Sequence, residues 1–309
     1  MPDGYAARLE GRMLAEPVTD SAPTSRVTPS VATARMADGT NLRTLRWEPD
    51  AEPWAVAEIV HGLGEHGGRY DTVASALSAA GIDTWAYDHR GNGGSGGPRV
   101  YLERWSQLHD DLGERLAALR DLHPGRPLIL YAHSMGGLVG LGYVLSPTPR
   151  ELPDLLVLSA PALEDDQPAW QRPMARLGVR VVPRLKIANG LPKGGLSRDP
   201  SVEARVAADP LSTNRSTVRW GFEAFAEQDR LRALLPTLQT MPIPTYVLHG
   251  SADPVVPVEA SAVLEGKGNV TRRVHDGLRH ECHHEPEHEA VLAEVVRWIR
   301  ATAPPTGAV

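Results

Sequence analysis

The chain has 309 residues and carries 32 Lys and Arg against 38 Asp and Glu, a net charge of −6 at neutral pH. This mild acidity argues against a nucleic-acid binder, which shows a basic excess. The single cysteine, Cys282, excludes an internal disulfide and any multi-cysteine zinc or iron–sulfur site. At roughly 150 residues per domain the length suits about two domains or one large α/β unit, and a hydrophobic share of 41% can build a core.

Residues 1–28, rich in Pro, Ser, Thr and Ala without periodicity, are expected to form a poorly ordered tail. Val31–Met36, an Asp38-Gly39 turn and Leu42–Trp47 read as a hairpin. Trp54–Val60 reads as a buried strand running into His61-Gly62-Leu63-Gly64. Tyr70–Ala80 fits a helix, with Val73, Leu77 and Ala80 on one face and Gly81 past its end. Strand Ile82–Tyr87, a glycine-rich loop to Pro98, helix Leu102–Leu122, strand Pro127–Ala132, helix Gly136–Leu145 and strand Leu155–Ser159 follow. Such alternation implies a mostly parallel sheet with helices on both faces.

The alternation stops at about Pro161 and resumes near Leu235; the text between is helical or irregular, with no convincing strand. Strand Pro244–His249, a helix near Val258–Leu264, strand Val270–Val274 and a helix from about Pro286 to Ala301 complete the chain. The expected organisation is one α/β core, residues 29–160 and 236–309, split by a helical cap at 161–235. The first 30 residues hold no apolar signal-peptide stretch. The longest apolar run, Met135–Leu145, is 11 residues, short of the roughly 20 that span a bilayer. A cytoplasmic chain is the simplest reading.

Chemistry concentrates at Tyr131-Ala132-His133-Ser134-Met135-Gly136-Gly137, between an aliphatic strand and a glycine-rich helix. This is the strand–turn–helix context of a nucleophile elbow, where small residues must stand two positions either side of the serine. Gly136 meets that demand; Ala132 stands where glycine is usual. Downstream, Gly250-Ser251-Ala252-Asp253 ends one strand with an acid in a turn. A later strand ends in Leu278-Arg279-His280-Glu281, with a histidine in a loop. In the order Ser134, Asp253, His280, the histidine takes the serine proton and the aspartate fixes its tautomer. The backbone N–H groups of Leu63 and Met135 are the candidate oxyanion donors. This chemistry needs no cofactor.

Two decoys yield to local context. Gly91-Asn92-Gly93-Gly94-Ser95-Gly96 satisfies G-x-G-x-x-G, but Gly97 and Pro98 prolong the loop where a dinucleotide site would open a helix. His280-Glu281-Cys282-His283-His284 satisfies H-E-x-x-H, but Pro286 would clash with the Cys282 carbonyl in a continuous helix, so no metal is assigned. Cys282 follows the candidate base without an elbow of its own and reads as a passive thiol.

Five segments together resemble the monoacylglycerol lipase and lysophospholipase group of the α/β-hydrolases, the serine aminopeptidase-like branch. They are His61-Gly62-Leu63-Gly64-Glu65-His66-Gly67-Gly68-Arg69-Tyr70, Asp88-His89-Arg90-Gly91, Ala132–Gly137, Gly250–Asp253 and His280-Glu281. The resemblance runs from about Val31 to Ile299 and takes in Ser197-Arg198-Asp199-Pro200 and Ala207-Ala208-Asp209-Pro210-Leu211 of the inserted segment. It departs at Ala132, at Asn92 for a usual histidine, and at Gly94 where a basic residue is common. It implies an α/β-hydrolase fold with a cap, and an esterase releasing a fatty acid from monoacylglycerol-like lipids through an acyl-enzyme. It also implies that Glu65, Arg69 and His283 stand near the glycerol end of the pocket. A lysophospholipase, a short-chain carboxylesterase or an aminopeptidase-type amidase are the neighbouring activities; a non-catalytic ligand-binding fold is the alternative of another class.

Between Ala169 and Arg198 lie Arg172, Arg176, Arg180, Arg184, Lys186, Lys193 and Arg198 with no acid, while Trp170, Met174, Leu177 and Val181 recur at helical spacing. The first reading rests this apolar face on the acyl slot with the arginines in water. The second lays both faces on an anionic lipid surface in a transient contact. Oligomeric state is not legible in the sequence.

Overall fold

The computed structural model describes residues 28–164 and 170–303; the tail assigned to residues 1–28 lies outside them but for residue 28. Strands β1 (Ser30–Arg35) and β2 (Asn41–Trp47) form an antiparallel hairpin. Its turn is closed by Gly39 at φ 86° and by the Asp38 carboxylate accepting the Thr40 N–H at 2.9 Å. Then come β3 (Ala55–Val60), α1 (Asp71–Ala79), β4 (Ile82–Tyr87), α2 (Ser106–Leu122), β5 (Leu128–His133), α3 (Met135–Val144) and β6 (Leu155–Ser159). The inserted segment holds α4 (Gln171–Val181), β7 (Lys186–Ala188), α5 (Pro200–Ala208), β8 (Arg215–Thr217) and α6 (Val218–Leu234). β9 (Thr240–Gly250), β10 (Gly268–His275) and α7 (His288–Thr302) close the chain.

The main sheet has eight strands in the order β1-β2-β4-β3-β5-β6-β9-β10. All pairings from β4 to β10 are parallel, and β2 joins antiparallel to both neighbours. Strand residues alternate between two buried layers. In β5, Leu128, Leu130 and Ala132 face α2 and α3, while Ile129 and Tyr131 face α1 and α7. Because both faces are covered, such strands read as continuous apolar runs. A parallel sheet sends every strand's C-terminal end to one edge, where ligands of open α/β folds bind. The loops after β3, β5, β9 and β10 therefore converge there.

Several boundaries differ from the sequence reading. The inserted segment contains a strand pair after all: β7 and β8 pair antiparallel, each three residues long and too short to show a period. Val258–Leu264 is a 3₁₀ helix, and residues 102–105 precede rather than open α2. α7 begins at His288, because Cys282–His284 forms a separate 3₁₀ turn and Pro286 lies in the turn that follows.

The expectation for α4 is overturned more fully. Trp170, Met174, Leu177 and Val181 are 62%, 55%, 59% and 70% exposed, so the apolar face does not rest on an acyl slot. Instead the Arg172 guanidinium turns inward, 4.6 Å over the Phe225 ring and 2.8 Å from the Asp229 carboxylate of α6. A cation stacked on an aromatic face and paired with a carboxylate outcompetes an apolar contact at that seam. Among the described residues no helix is long and apolar enough to cross a membrane.

Candidate active site

Ser134 sits between β5 and α3 at φ 54° and ψ −118°, a conformation that costs a non-glycine residue about 1–3 kcal/mol and must be over-determined by its surroundings. Three backbone bonds hold it: its N–H donates to Ser159 O at 2.9 Å, and its carbonyl accepts from Leu138 and Ala162 at 3.1 and 3.0 Å. The following turn passes directly over β3. A Cβ on Gly136 would stand 2.2 Å from the Val60 carbonyl oxygen and 2.6 Å from that of His61. On the upstream side, the Ala132 methyl is accommodated by Gly140 of α3, where a Cβ would come to 3.0 Å from that of Ala132. The missing glycine of the elbow is thus answered by a glycine one helical turn on.

His280 Nε2 lies 2.9 Å from Ser134 Oγ, and its Nδ1 lies 2.7 Å from Asp253 Oδ2. All three side chains are buried. The loop after β10 can come this close because residue 250 is glycine: a Cβ there would sit 2.2 Å from Leu278 O and 2.5 Å from Arg279 O. Asp253 Oδ1 accepts the N–H groups of Val255 and Val256 at 2.8 and 3.0 Å. Burial opposes its ionisation, but hydrogen bonds from His249 and His280 outweigh that and hold the carboxyl far below the usual range. His133, whose ring centroid is 4.7 Å from that of His280, is pushed down to about 3, first by burial and then by the neighbouring His280, so it stays neutral.

The loop after β3 runs beside the serine, with a Cβ on Gly62 placed 3.3 Å from Ser134 Cβ. Leu63 lies in that loop, and Met135 opens α3, where the first N–H groups have no partner within the helix. The Met135 thioether accepts the Trp220 indole N–H of α6 at 3.3 Å. Gly62 and Met135 thus border the serine from two sides, with Leu63 next along the loop from Gly62.

Glu65, Arg69 and His283 gather behind this loop in one buried cluster. The Glu65 carboxylate accepts the Gly62 N–H and the Tyr70 O–H, and pairs with Arg69; Arg69 also donates to Glu281 at 2.8 Å. Burial pushes both carboxyls up, but Arg69 draws each below its ordinary value. His283 stacks on Tyr70 at 5.2 Å, and its Nδ1 has no hydrogen-bond partner among the described residues. Ligand atoms of Glu281, His283 and His284 lie within 4.8 Å of one another. Glu281 Oε2 is engaged by Arg69 and by His284 Nδ1, and that guanidinium opposes a cation there.

The glycine-rich loop after β4 folds around a carboxylate of its own chain. Asp88 accepts the N–H groups of Gly67 and Gly94, both at 2.8 Å, and a Cβ on Gly93 would stand 2.2 Å from its Oδ2. An acid occupies the place a phosphate would need. Cys282 is buried, and burial pushes its thiol up to about 12.

Two residues at the site carried no role in the sequence reading. His61 Nε2 accepts the His89 N–H at 2.9 Å while its Nδ1–H donates to Gly62 O at 2.8 Å, pinning the loop after β3 to the loop after β4. His249, at the end of β9, lies against Asp253. Both belong to a His-Gly pair at a strand's C-terminal end, His61-Gly62 and His249-Gly250, which is the signal that marks them.

The inserted segment is bonded to both halves of the site. Thr213 N–H donates to Gly64 O at 2.7 Å, and His66 Nε2 lies 2.6 Å from Asp209 Oδ2. On the other side Glu281 N–H donates to Leu196 O at 2.8 Å, and the Arg279 guanidinium donates to Gly194 O and Ser197 O.

A family model described as serine aminopeptidase, S33, matches residues 51–287. The chain belongs to this family. It is 35% identical over 265 residues to the monoacylglycerol lipase of Mycolicibacterium smegmatis, covering 82% of this chain and 90% of that one. It is 27% identical over 271 residues to the human monoglyceride lipase, covering 85% and 88%. The crystal structure of the Paleococcus ferrophilus monoacylglycerol lipase superposes with a TM-score of 0.74 at 27% identity, over 84% of this chain and 99% of that chain. The mostly parallel sheet flanked by helices is the α/β-hydrolase fold of this S33 family.

Proposed function

We propose that Ser134, His280 and Asp253 are the catalytic triad through which this serine hydrolase cleaves the ester of a monoacylglycerol-like lipid. The observation that carries the reading is one hydrogen-bonded line, Ser134 Oγ to His280 Nε2 to Asp253 Oδ2, built on a strained elbow at the sheet's C-terminal edge. Ser134 Oγ attacks the ester carbonyl as its proton passes to His280 Nε2. The carbonyl oxygen becomes an oxyanion facing the amides of Leu63 and Met135, each such donor supplying about 2.7–4 kcal/mol in the transition state. His280 then protonates the glyceryl oxygen, the C–O bond breaks, and water repeats the cycle on the acyl-enzyme to release the fatty acid. Residues 161–235 serve in this reading as a cap on a core of 29–160 and 236–309. Glu65, Arg69 and His283 build the wall at the glycerol end. A fluorophosphonate probe labels the wild type and not Ser134→Ala; equal labelling of the two overturns the assignment. Turnover compared across monoacylglycerols, lysophospholipids, short p-nitrophenyl esters and aminoacyl amides ranks the neighbouring activities.

The exposed face of α4 supports a second reading, that the cap docks on an anionic lipid surface. Trp170, Met174, Leu177 and Val181 project outward together, with Arg176, Arg180 and Arg184 also exposed. Burying each apolar side chain yields about 1.5–3 kcal/mol, and each cation near an anionic leaflet about 1 kcal/mol. Flotation with anionic liposomes exceeds that with neutral ones and drops in the double variant Leu177→Glu, Val181→Glu; no preference between the liposomes refutes the docking.

A further inference from the structure

Asp253 Oδ2 has a second histidine on it. His249 Nε2 lies 3.1 Å from that oxygen and 3.0 Å from Val256 O, and its ring is wholly buried. Both partners accept and neither donates, since Asp253 is held ionised by its hydrogen bonds; His249 Nε2 therefore carries a proton. On the far side of the ring, His249 Nδ1 lies 3.0 Å from Ser261 Oγ. Arg272 of β10 donates from Nε to the same Ser261 oxygen at 3.0 Å and from Nη2 to Val258 O at 2.9 Å. Its Nη1 reaches the exposed Glu265 carboxylate at 2.8 Å. Ser261 Oγ also lies 3.1 Å from Val258 O, which accepts from Arg272 as well, so the Ser261 hydroxyl has two acceptors within reach, that carbonyl and His249 Nδ1. Side chains in hydrogen-bond contact thus run in one line, Arg272 to Ser261 to His249 to Asp253.

We infer that His249 is a positioning residue of the triad, the inner end of a chain Arg272–Ser261–His249 that fixes the Asp253 carboxylate and limits how strongly it accepts from His280. This inference rests on the triad reading above. The physical argument is competition at one oxygen. Oδ2 receives two N–H donors, at 2.7 Å from His280 and 3.1 Å from His249, and Oδ1 is occupied by two backbone amides. A charge-assisted bond weakens when a second donor shares its acceptor atom. Without His249 the carboxylate is a stronger acceptor for the His280 N–H and is also free to rotate, because Oδ2 loses one of its two fixed directions. Asp253 and His280 are otherwise faced by Ser134, by the neutral His133 of β5 and by the buried Cys282. Glu285, near Cys282, is tied to Ser197, Arg198 and the Arg279 N–H, and Glu265 meets only the outer end of the chain at Arg272.

The test compares wild type, His249→Leu, His249→Gln and Ser261→Ala on a short water-soluble ester across pH, together with the low-field proton resonance of the His280–Asp253 hydrogen bond. Gln keeps an amide N–H near the place of Nε2–H; Leu fills the volume without a donor. His249→Leu is expected to lose about 10–100-fold in kcat, as supporting partners of active-site groups typically do, with KM within about 2-fold. Its acid limb of kcat/KM moves up by roughly 0.5–1 pH unit, and its low-field resonance shifts. His249→Gln recovers most of the rate and returns the limb, and Ser261→Ala falls between. If His249→Gln is as impaired as His249→Leu, or the rate falls while the limb and the resonance stay at wild-type positions, the inference is wrong. An inert wild type that still shows the resonance overturns the triad reading instead, so the two failures are distinct.

Discussion

Replacing Arg69 by methionine tests the buried cluster behind the Gly62 loop. The Arg69 guanidinium lies between Glu65 and Glu281, whose side chains are 7% and 2% exposed. Its removal strands two carboxylates in a low-dielectric site. Breaking a buried pair from one side costs about 3–5 kcal/mol. The figure is not doubled here, because Glu281 keeps His284 at 2.7 Å and Glu65 keeps Gly62 N–H and Tyr70 O–H. At about 2–4 °C per kcal/mol for a large domain, the melting temperature of Arg69→Met falls by roughly 6–20 °C at neutral pH. The sign of the pH dependence discriminates further. In the wild type both carboxyls lie below their ordinary values, so their contribution is present above the unfolded carboxylate range and fades as pH falls. Without Arg69, burial acts unopposed by that charge and raises them, so protonation becomes stabilising and the deficit shrinks from pH 8 to pH 5. Thermal melts of both proteins across that range measure it. A deficit under about 1 kcal/mol, or one that does not change with pH, refutes the reasoning.

Gly136→Ala drives a methyl against the backbone carbonyls of Val60 and His61, which belong to a central strand and its exit and cannot swing aside. Urea unfolding should show a loss of about 3 kcal/mol at unchanged m, with ester turnover falling more than 10-fold; a wild-type midpoint contradicts the tight-elbow account. Cys282, buried with its thiol raised to about 12, stays unalkylated by iodoacetamide at pH 8 in the native protein and reacts in urea. Native modification with loss of activity would mean that the thiol is accessible after all.

The core was legible because its strands are buried on both faces and punctuated by glycine, so length and apolar content located them. The order Ser134, Asp253, His280 singled out three residues that the fold brings into hydrogen-bond distance across 146 positions of sequence. Other features were not legible, each for a physical reason. The pair β7 and β8 is too short to show a period. The outward face of α4 follows from one tertiary event, Arg172 turning in to Phe225 and Asp229, which helical spacing alone does not register. Ala132 departs from the usual glycine of the elbow, and the room for its methyl comes from Gly140, a helix position that the spacing around the serine does not mark. His249 stands four residues before Asp253, but its meaning depends on Ser261 and Arg272, residues joined to it only by folding.

The bonds from residues 194–198 and 209–213 to the loops around His280 and Gly64 divide the insertion unequally. α4 leans on α6, whereas those two stretches are stitched to the serine's surroundings. Anyone building chimaeras between relatives should therefore cut inside the insertion, not at its ends. The portion around α4, held to α6 through Arg172, Phe225 and Asp229, is the part to exchange. The stretches carrying Leu196 and Thr213 must travel with the parent sheet, or the recipient loses the bonds that tie the insertion to Gly64 and Glu281.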